Sequence, residues 1–146
     1  MSQSPTILHV EDDPNDVLLL EHACRKTGVS CSIQRVADGE EAIEYLQGAG
    51  NFADRNRFPL PQLILLDLKM PRLSGFDVLA WRRENERFKA LPVVVLSSSN
   101  HDLDLKRAYE LGVNSYLVKP VSFDSLCEIV KTIGDYWLRL NTVGAA

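Results

Sequence analysis

Short apolar runs alternate with amphipathic segments along this chain, and turn residues punctuate each change. Thr6-Ile7-Leu8-His9-Val10 reads as a first strand. Asp13 then reads as a helix N-cap, with Pro14 at the first helical position, where its missing N–H costs nothing. That helix runs to Gly28, a residue suited to a left-handed helix stop. Ser32 to Val36 predicts a second, more polar strand, and Asp38 caps a short helix ending near Leu46. Leu63-Ile64-Leu65-Leu66 is continuously apolar and predicts a strand buried on both faces. Ser74 opens the next helix, with Asp77 in its first turn. Val93-Val94-Val95-Leu96 predicts another buried strand. A helix from about Asp102 to Leu111 stops at Gly112. Ser115 to Val118 predicts a last short strand, and a final helix runs from Ser122 to about Leu140.

About five βα units imply an α/β fold, a doubly wound parallel sheet with helices on both faces and right-handed crossovers. Gln47 to Gln62 holds Gly48, Gly50, Pro59 and Pro61 and reads as a loop. A loop of that length is expected to be either functional or mobile. The tail from Asn141 to Ala146 is too short for another domain, so one domain over 1–146 is expected, with no output domain.

Composition narrows the function. A net charge of −4 argues against a nucleic-acid binder, so no DNA is expected as a partner. Cys24, Cys31 and Cys127 form no CxxC pair and read as reduced thiols buried as small hydrophobes. Met1 to Pro5 lacks the apolar core of a signal peptide, and no apolar run approaches a membrane span. A cytoplasmic protein without membrane contact is expected.

In an open parallel sheet, ligands bind beyond the carboxyl ends of the strands. There the first strand delivers Glu11 and Asp12, the third Asp67, the fourth Ser97, Ser98 and Ser99, and the fifth Lys119 and Pro120. Three converging carboxylates cannot all stay ionised unaided. Mg²⁺ resolves this, because it favours oxygen ligands and binds one or two carboxylates together with a substrate phosphate. A carboxylate held like Asp67 can attack phosphorus and form an aspartyl phosphate. Lys119 would neutralise charge on the transferring oxygens, and Ser97 would donate to one of them. Asp13 is the helix cap rather than a ligand. A haloacid-dehalogenase phosphatase would need a second Asp two residues after a first-strand nucleophile; Lys69 stands there, after the third strand. A flavodoxin would need a phosphate-cradling loop where this chain has Glu11-Asp12-Asp13.

Val10-Glu11-Asp12, Leu65 to Pro71 with Gly75, Pro92 to Ser97, and Gly112 through Tyr116 to Lys119-Pro120 together resemble the response-regulator receiver family over nearly the whole chain. The resemblance implies a flavodoxin-like (βα)5 fold with strand order 2-1-3-4-5, a topology that receivers share with flavodoxin. It implies that Asp67 is the phosphoacceptor and that Mg²⁺ is held by Glu11, Asp12, Asp67 and the backbone carbonyl of Lys69. It makes Ser97 and Tyr116 a switch pair and the Lys119-Pro120 peptide cis. The function implied is signalling: a phosphoryl group from a sensor histidine kinase, a change of shape, and no catalysis beyond the protein's own phosphorylation and dephosphorylation. Lys69 replaces a commoner short polar residue, and Ser99 stands two after the switch hydroxyl; both are expected to line the phosphoryl pocket. His22 and His101 are expected on solvated surface. The long loop before Asp67 and the ending Asp135-Tyr136-Trp137-Leu138 are similar to small regulators serving bacterial and cyanobacterial phytochrome kinases.

The final helix carries two apolar stripes. Phe123, Leu126, Cys127, Val130, Ile133, Gly134 and Trp137 are expected to pack on the sheet. Ile129, Ile133, Tyr136 and Leu140 are expected to be spare apolar surface. With the family's habit of pairing, this implies a homodimer through the fourth helix, fifth strand and fifth helix.

Overall fold

Apolar strands lose water from both faces only if helices cover both, and the chain is ordered accordingly. The computed structural model describes residues 4–142, and the readings for Met1–Gln3 and for 143–146 lie outside them. The order is β1 (Thr6–Val10), α1 (Pro14–Thr27), β2 (Ser32–Val36), α2 (Gly39–Gln47), β3 (Leu63–Leu66), α3 (Gly75–Arg83), β4 (Val93–Ser97), α4 (Asp102–Glu110), β5 (Ser115–Val118) and α5 (Phe123–Ile133). All strands pair in parallel in the order β2-β1-β3-β4-β5, as the sequence implied. No helix of the described residues is long and apolar enough to cross a membrane.

The caps fall where the sequence placed them. Asp13 accepts from the Asn15 N–H at 2.9 Å, and Asp38 from the Glu41 N–H at 2.8 Å. Ser74 and Asp77 form a reciprocal capping box at the start of α3. Gly28 ends α1 in the left-handed region, at φ 71°.

Strand alternation divides the core in two. Leu8, Val10, Ile64, Leu66 and Val95 pack beneath α2, α3 and α4. Ile7, Leu63, Leu65, Val94 and Leu96 pack beneath α1 and α5. The register then sets the functional edge. The Asp67 N–H donates to the Val10 carbonyl at 3.0 Å, so the end of β3 lies beside the residues that follow β1. The Lys119 N–H donates to the Ser97 carbonyl at 2.8 Å, which aligns the ends of β4 and β5.

Two arginines organise the loops from within. Arg82 is buried and donates to the carbonyls of Leu91 (2.8 Å) and Gly112 (3.2 Å), tying α3 to the loops around β4 and α4. Arg55 donates to the carbonyls of Tyr45, Leu46 and Phe58, closing the last turn of α2. The segment 47–62 is thereby folded: it holds a 3₁₀ turn, Gly50–Phe52, and an aromatic cluster of Tyr45, Phe52 and Phe58.

Two expectations are corrected. The Lys119-Pro120 peptide is trans, since no described peptide bond is cis. The two isomers of an X–Pro bond differ by only about 0.5–1 kcal/mol, so surrounding structure, not the dipeptide, selects between them. The final helix is not one uniform α-helix to Leu140. It is α-helical to Ile133 and π-helical over Gly134–Leu140, where the Asn141 N–H reaches back to Tyr136. A Cβ on Gly134 would lie 2.8 Å from Val29, so the helix passes unusually close to its neighbour there. The second stripe is not a continuous surface either. Ile133 is buried and Ile129 packs on the core, leaving Tyr136 and Leu140 exposed.

Gly75 starts α3 directly against the acceptor strand. A Cβ there would collide with the Asp67 carbonyl oxygen and lie 2.8 Å from the Leu68 Cα. Both obstacles are backbone. Gly75→Ala should therefore destabilise the fold by about 1–3 kcal/mol, as overpacking does. Urea unfolding would read this as a lower midpoint, and an unchanged midpoint would contradict the close approach.

Candidate functional site

Glu11, Asp12 and Asp67 leave the ends of β1 and β3 and converge. One carboxylate oxygen from each lies within 4.8 Å of the others. Glu11 is 1% exposed and Asp67 6%, while Asp12 is open to solvent. The acidic pair is held at its main chain by Arg35 of β2, which donates to the carbonyls of Glu11 (2.9 Å) and Asp12 (3.2 Å). The Lys69 main-chain N–H donates to the Asp67 carboxylate.

Lys119 reaches into this cluster from the end of β5. Its Nζ lies 2.6 Å from Glu11 Oε1, 2.8 Å from Asp16 Oδ2 and 3.8 Å from Asp67 Oδ2. Burial works to lower the Lys119 ammonium, but hydrogen bonds to Asp16 and Glu11, with the Asp67 charge, hold it above its ordinary range. Burial pushes the Glu11 carboxyl up to about 7; the Lys119 hydrogen bond offsets this only in part, and the Asp67 charge adds to it. Burial likewise raises Asp67, against the opposing pull of Lys119. One ammonium among four carboxylates leaves the edge short of positive charge.

Beneath the cluster lies His9, buried at the centre of the sheet with no partner for its Nδ1. Burial first, then the charges of Lys119 and Arg35, push its pKa down to about 3, so it is neutral.

Ser97 and Tyr116 meet through the main chain of Ser99. The Ser99 N–H donates to Ser97 Oγ at 3.2 Å, and the Tyr116 hydroxyl donates to the Ser99 carbonyl at 2.8 Å. Lys69 and Ser99 are joined as well. Ser99 Oγ donates to Asp104 Oδ2 at 2.6 Å, and Lys69 Nζ lies 3.3 Å from the same oxygen. The hydrogen bond from Ser99, then the contact with Lys69, hold the Asp104 carboxyl below its usual range.

Sequence reasoning named Glu11, Asp12, Asp67, Lys119, Ser97, Tyr116 and Lys69, and missed Asp16, Asp104, Arg35 and His9. Asp16 and Asp104 sit in the first turns of α1 and α4, where an acidic residue is already explained by the helix dipole. His9 was hidden inside an apolar strand run. His22 and His101 are exposed, as expected.

The donor set fits a divalent cation. It is all oxygen, it carries excess negative charge, and two of its members are raised towards protonation by their burial. A pH signature follows from Glu11. Its proton is held more tightly in the folded chain, at about 7 against 4.5. Its contribution to stability is therefore fully present below pH 4.5 and is lost as pH rises through about 7. Glu11→Gln removes that loss. In chelator, the variant's urea midpoint should gain on wild type across this range, and saturating Mn²⁺ should reverse the gain by stabilising wild type more. A constant offset between the two would contradict the assignment.

Comparisons with known proteins agree with this geometry. The family model described as the response regulator receiver domain matches residues 7–131. The probable methanogenesis regulatory protein FilR2 of Methanothrix harundinacea is 41% identical over 138 residues, 92% of this chain and 84% of that protein. The response regulator Rcp1 of Synechocystis is 36% identical over 140 residues, covering 96% and 93%. The solved Mn²⁺-bound form of Rcp1 superposes with a TM-score of 0.84 at 35% identity, over 97% of this chain and 99% of that one. The phosphorylated cyanobacterial phytochrome response regulator RcpA superposes at 0.88 with 36% identity, over 99% and 100%. With a matched fold, a matched family model and an acidic edge suited to a divalent cation, this chain belongs to the response regulator receiver domain family and is a two-component signalling protein.

Proposed function

We propose that Asp67 is the phosphoacceptor, that Mg²⁺ is the cation, and that a sensor histidine kinase is the donor. One observation carries the reading: Asp67 ends a central strand with two further carboxylates and Lys119 gathered around it. Asp67 Oδ attacks phosphorus, the phosphorus–nitrogen bond of the donor phosphohistidine breaks, and the histidine nitrogen leaves with the electron pair and takes up a proton. Burial favours this step, because a poorly solvated carboxylate is the stronger nucleophile. Glu11, Asp12, Asp67 and the backbone carbonyl of Lys69 would hold the cation, which supplies countercharge to the phosphoryl oxygens. Lys119 sits 3.8 Å from Asp67 and is bound more closely by Glu11 and Asp16, so it is poised to shift towards an arriving phosphoryl group.

The switch follows from Ser99. If Ser97 Oγ turns to donate to a phosphoryl oxygen, it gives up the Ser99 N–H. The same stretch of main chain anchors the Tyr116 hydroxyl, so the aromatic ring is freed as the serine moves. A two-state change of this kind needs only a small difference in contacts. Lys69 and Ser99, clamped together by Asp104, tie the loop after β3 to α4 and are placed to set how long the phosphoryl group survives. The output is signalling through protein contacts by one receiver domain, in the cytoplasm, rather than turnover of a separate substrate or contact with DNA. Likeness to the cyanobacterial phytochrome response regulator RcpA supports a phytochrome kinase as the partner.

Acetyl phosphate tests the acceptor directly. Labelling should require Mg²⁺, and Asp67→Asn should abolish it; robust labelling of that variant would remove Asp67 from its role.

The homodimer is proposed through α4, β5 and α5 together with the π-helical turn. Leu103, Val118, Tyr136 and Leu140 are exposed apolar side chains distributed over these elements. Because Ile129 packs on the core, the informative variant is Tyr136→Glu/Leu140→Glu. Sedimentation should show dimers of the wild type, strengthened by phosphorylation, and monomers of the variant. A folded wild type that stays monomeric in both states at high micromolar concentration is the opposing result.

A further inference from the structure

The far end of α1 brings two thiols together. Past Cys24 the helix ends at Gly28, whose N–H donates to the Arg25 carbonyl at 3.3 Å, while the Val29 N–H donates to the Cys24 carbonyl at 3.2 Å. The chain doubles back, and Ser32 joins the sheet opposite Thr6 as the first residue of β2. This return lays Cys31 against Cys24. Both line a shallow open cavity of about 250 Å³ with Glu21, Arg25, Val29 and Ile33. The two thiols are close enough to perturb one another, Cys24 upward and Cys31 downward. Cys31 is half-buried, and Cys24 is buried, 7% exposed. Cys127 sits on α5 and is not part of this cavity.

We propose that Cys24 and Cys31 form an oxidation site that closes a reversible disulfide between α1 and the residue preceding β2 when it meets a hydroperoxide.

The two sulfurs are differentiated for this chemistry. The interaction with Cys24 holds the Cys31 thiol below its ordinary range despite burial, which favours the reactive thiolate. Cys24, the more buried of the two, is pushed well above its ordinary range by Cys31 and by burial and does not compete. Cys31 thiolate attacks one peroxide oxygen, the oxygen–oxygen bond breaks, and a sulfenic acid and hydroxide form. Cys24 sulfur then attacks Cys31 sulfur. The sulfur–oxygen bond breaks, and the hydroxyl leaves as water with the Cys24 proton. In sum two thiols lose two electrons, and one hydrogen peroxide is reduced to two waters. A small thiol reverses the step by exchange. The bridge would lock the last turn of α1 to the edge strand. At its other end the same helix carries Asp16, the partner of Lys119, so the site touches the helix that borders the acidic edge without touching the edge itself.

The test is intact-mass analysis of the reduced protein after one equivalent of hydrogen peroxide, with maleimide to count free thiols. The expected product is a monomer lighter by about 2 Da, with one thiol still open to alkylation and full recovery on reduction. Peptide mapping should join Cys24 to Cys31. The oxidised form should melt several degrees higher than the reduced form, since the bridge constrains the unfolded chain. Cys127→Ser should behave as wild type. Cys24→Ser should stop at a sulfenic acid on Cys31 that a dimedone probe captures, and Cys31→Ser should leave Cys24 unmodified. Oxygen addition to wild-type Cys31 without a disulfide, or a bridge to Cys127 or to a second molecule, would overturn the proposal. The wild-type measurement alone decides this, so a misfolded variant does not obscure it, and Asp67 plays no part in the readout.

Discussion

Glu11 and Asp67 are withdrawn from water within reach of one another and of Asp12, so ionising any one of them raises the cost of ionising the next. The neighbouring main-chain N–H groups of Asp13 and Lys69 relieve this only in part. The carboxylates follow different strands, and the relief comes from Lys119, at the end of β5, reaching back to α1 and β1. One ammonium cannot neutralise four acids, so the edge stays under tension that a cation or an incoming phosphoryl group can change. The responsiveness of the molecule starts from this imbalance.

That tension is held by a frame that does not yield. The central strands β1, β3 and β4 beneath the edge are buried on both faces, and the register that places Asp67 beside Val10 is fixed by main-chain hydrogen bonds. A one-residue slip would turn every apolar side chain to the wrong layer. Gly75 lets α3 begin in contact with the Asp67 main chain, and Arg35 fixes the carbonyls of the acidic pair from the neighbouring strand. The movable parts are confined to the rim: Lys119, the Ser99 peptide and the Asp104 clamp. Each is tied by a few polar contacts rather than by close packing and is therefore cheaper to rearrange than the core.

His9 shows how far the frame extends. A histidine at the centre of β1 is held neutral beneath a cluster of charges, by burial first and then by Lys119 and Arg35, and its Nδ1 has no partner. Its burial is a consequence of the sheet closing around it. The segment 47–62 makes a similar point. Its glycines and prolines read as an irregular loop, yet Arg55 and three aromatic rings fold it against the end of α2.

The sequence by itself determined the order of elements, the caps at Asp13, Asp38 and Ser74, and the delivery of Glu11, Asp12, Asp67, Ser97 and Lys119 to one edge. It could do so because each rests on local spacing: strand and helix periods, side chains that bond their own backbone, and the rule that parallel strands end together. Only the tertiary structure decided which acids Lys119 binds, that Ser97 and Tyr116 share the Ser99 peptide, that Lys69 is clamped by Asp104, and that Cys31 meets Cys24. It also decided the trans Lys119-Pro120 peptide, the π-helical turn over Gly134–Leu140, and the packing of Ile129 and Ile133 on the core rather than in a surface stripe. These are contacts between residues distant in the chain, or choices between conformers close in energy. Periodicity carries no information about either, because it fixes the face a residue occupies and not the partner it finds there.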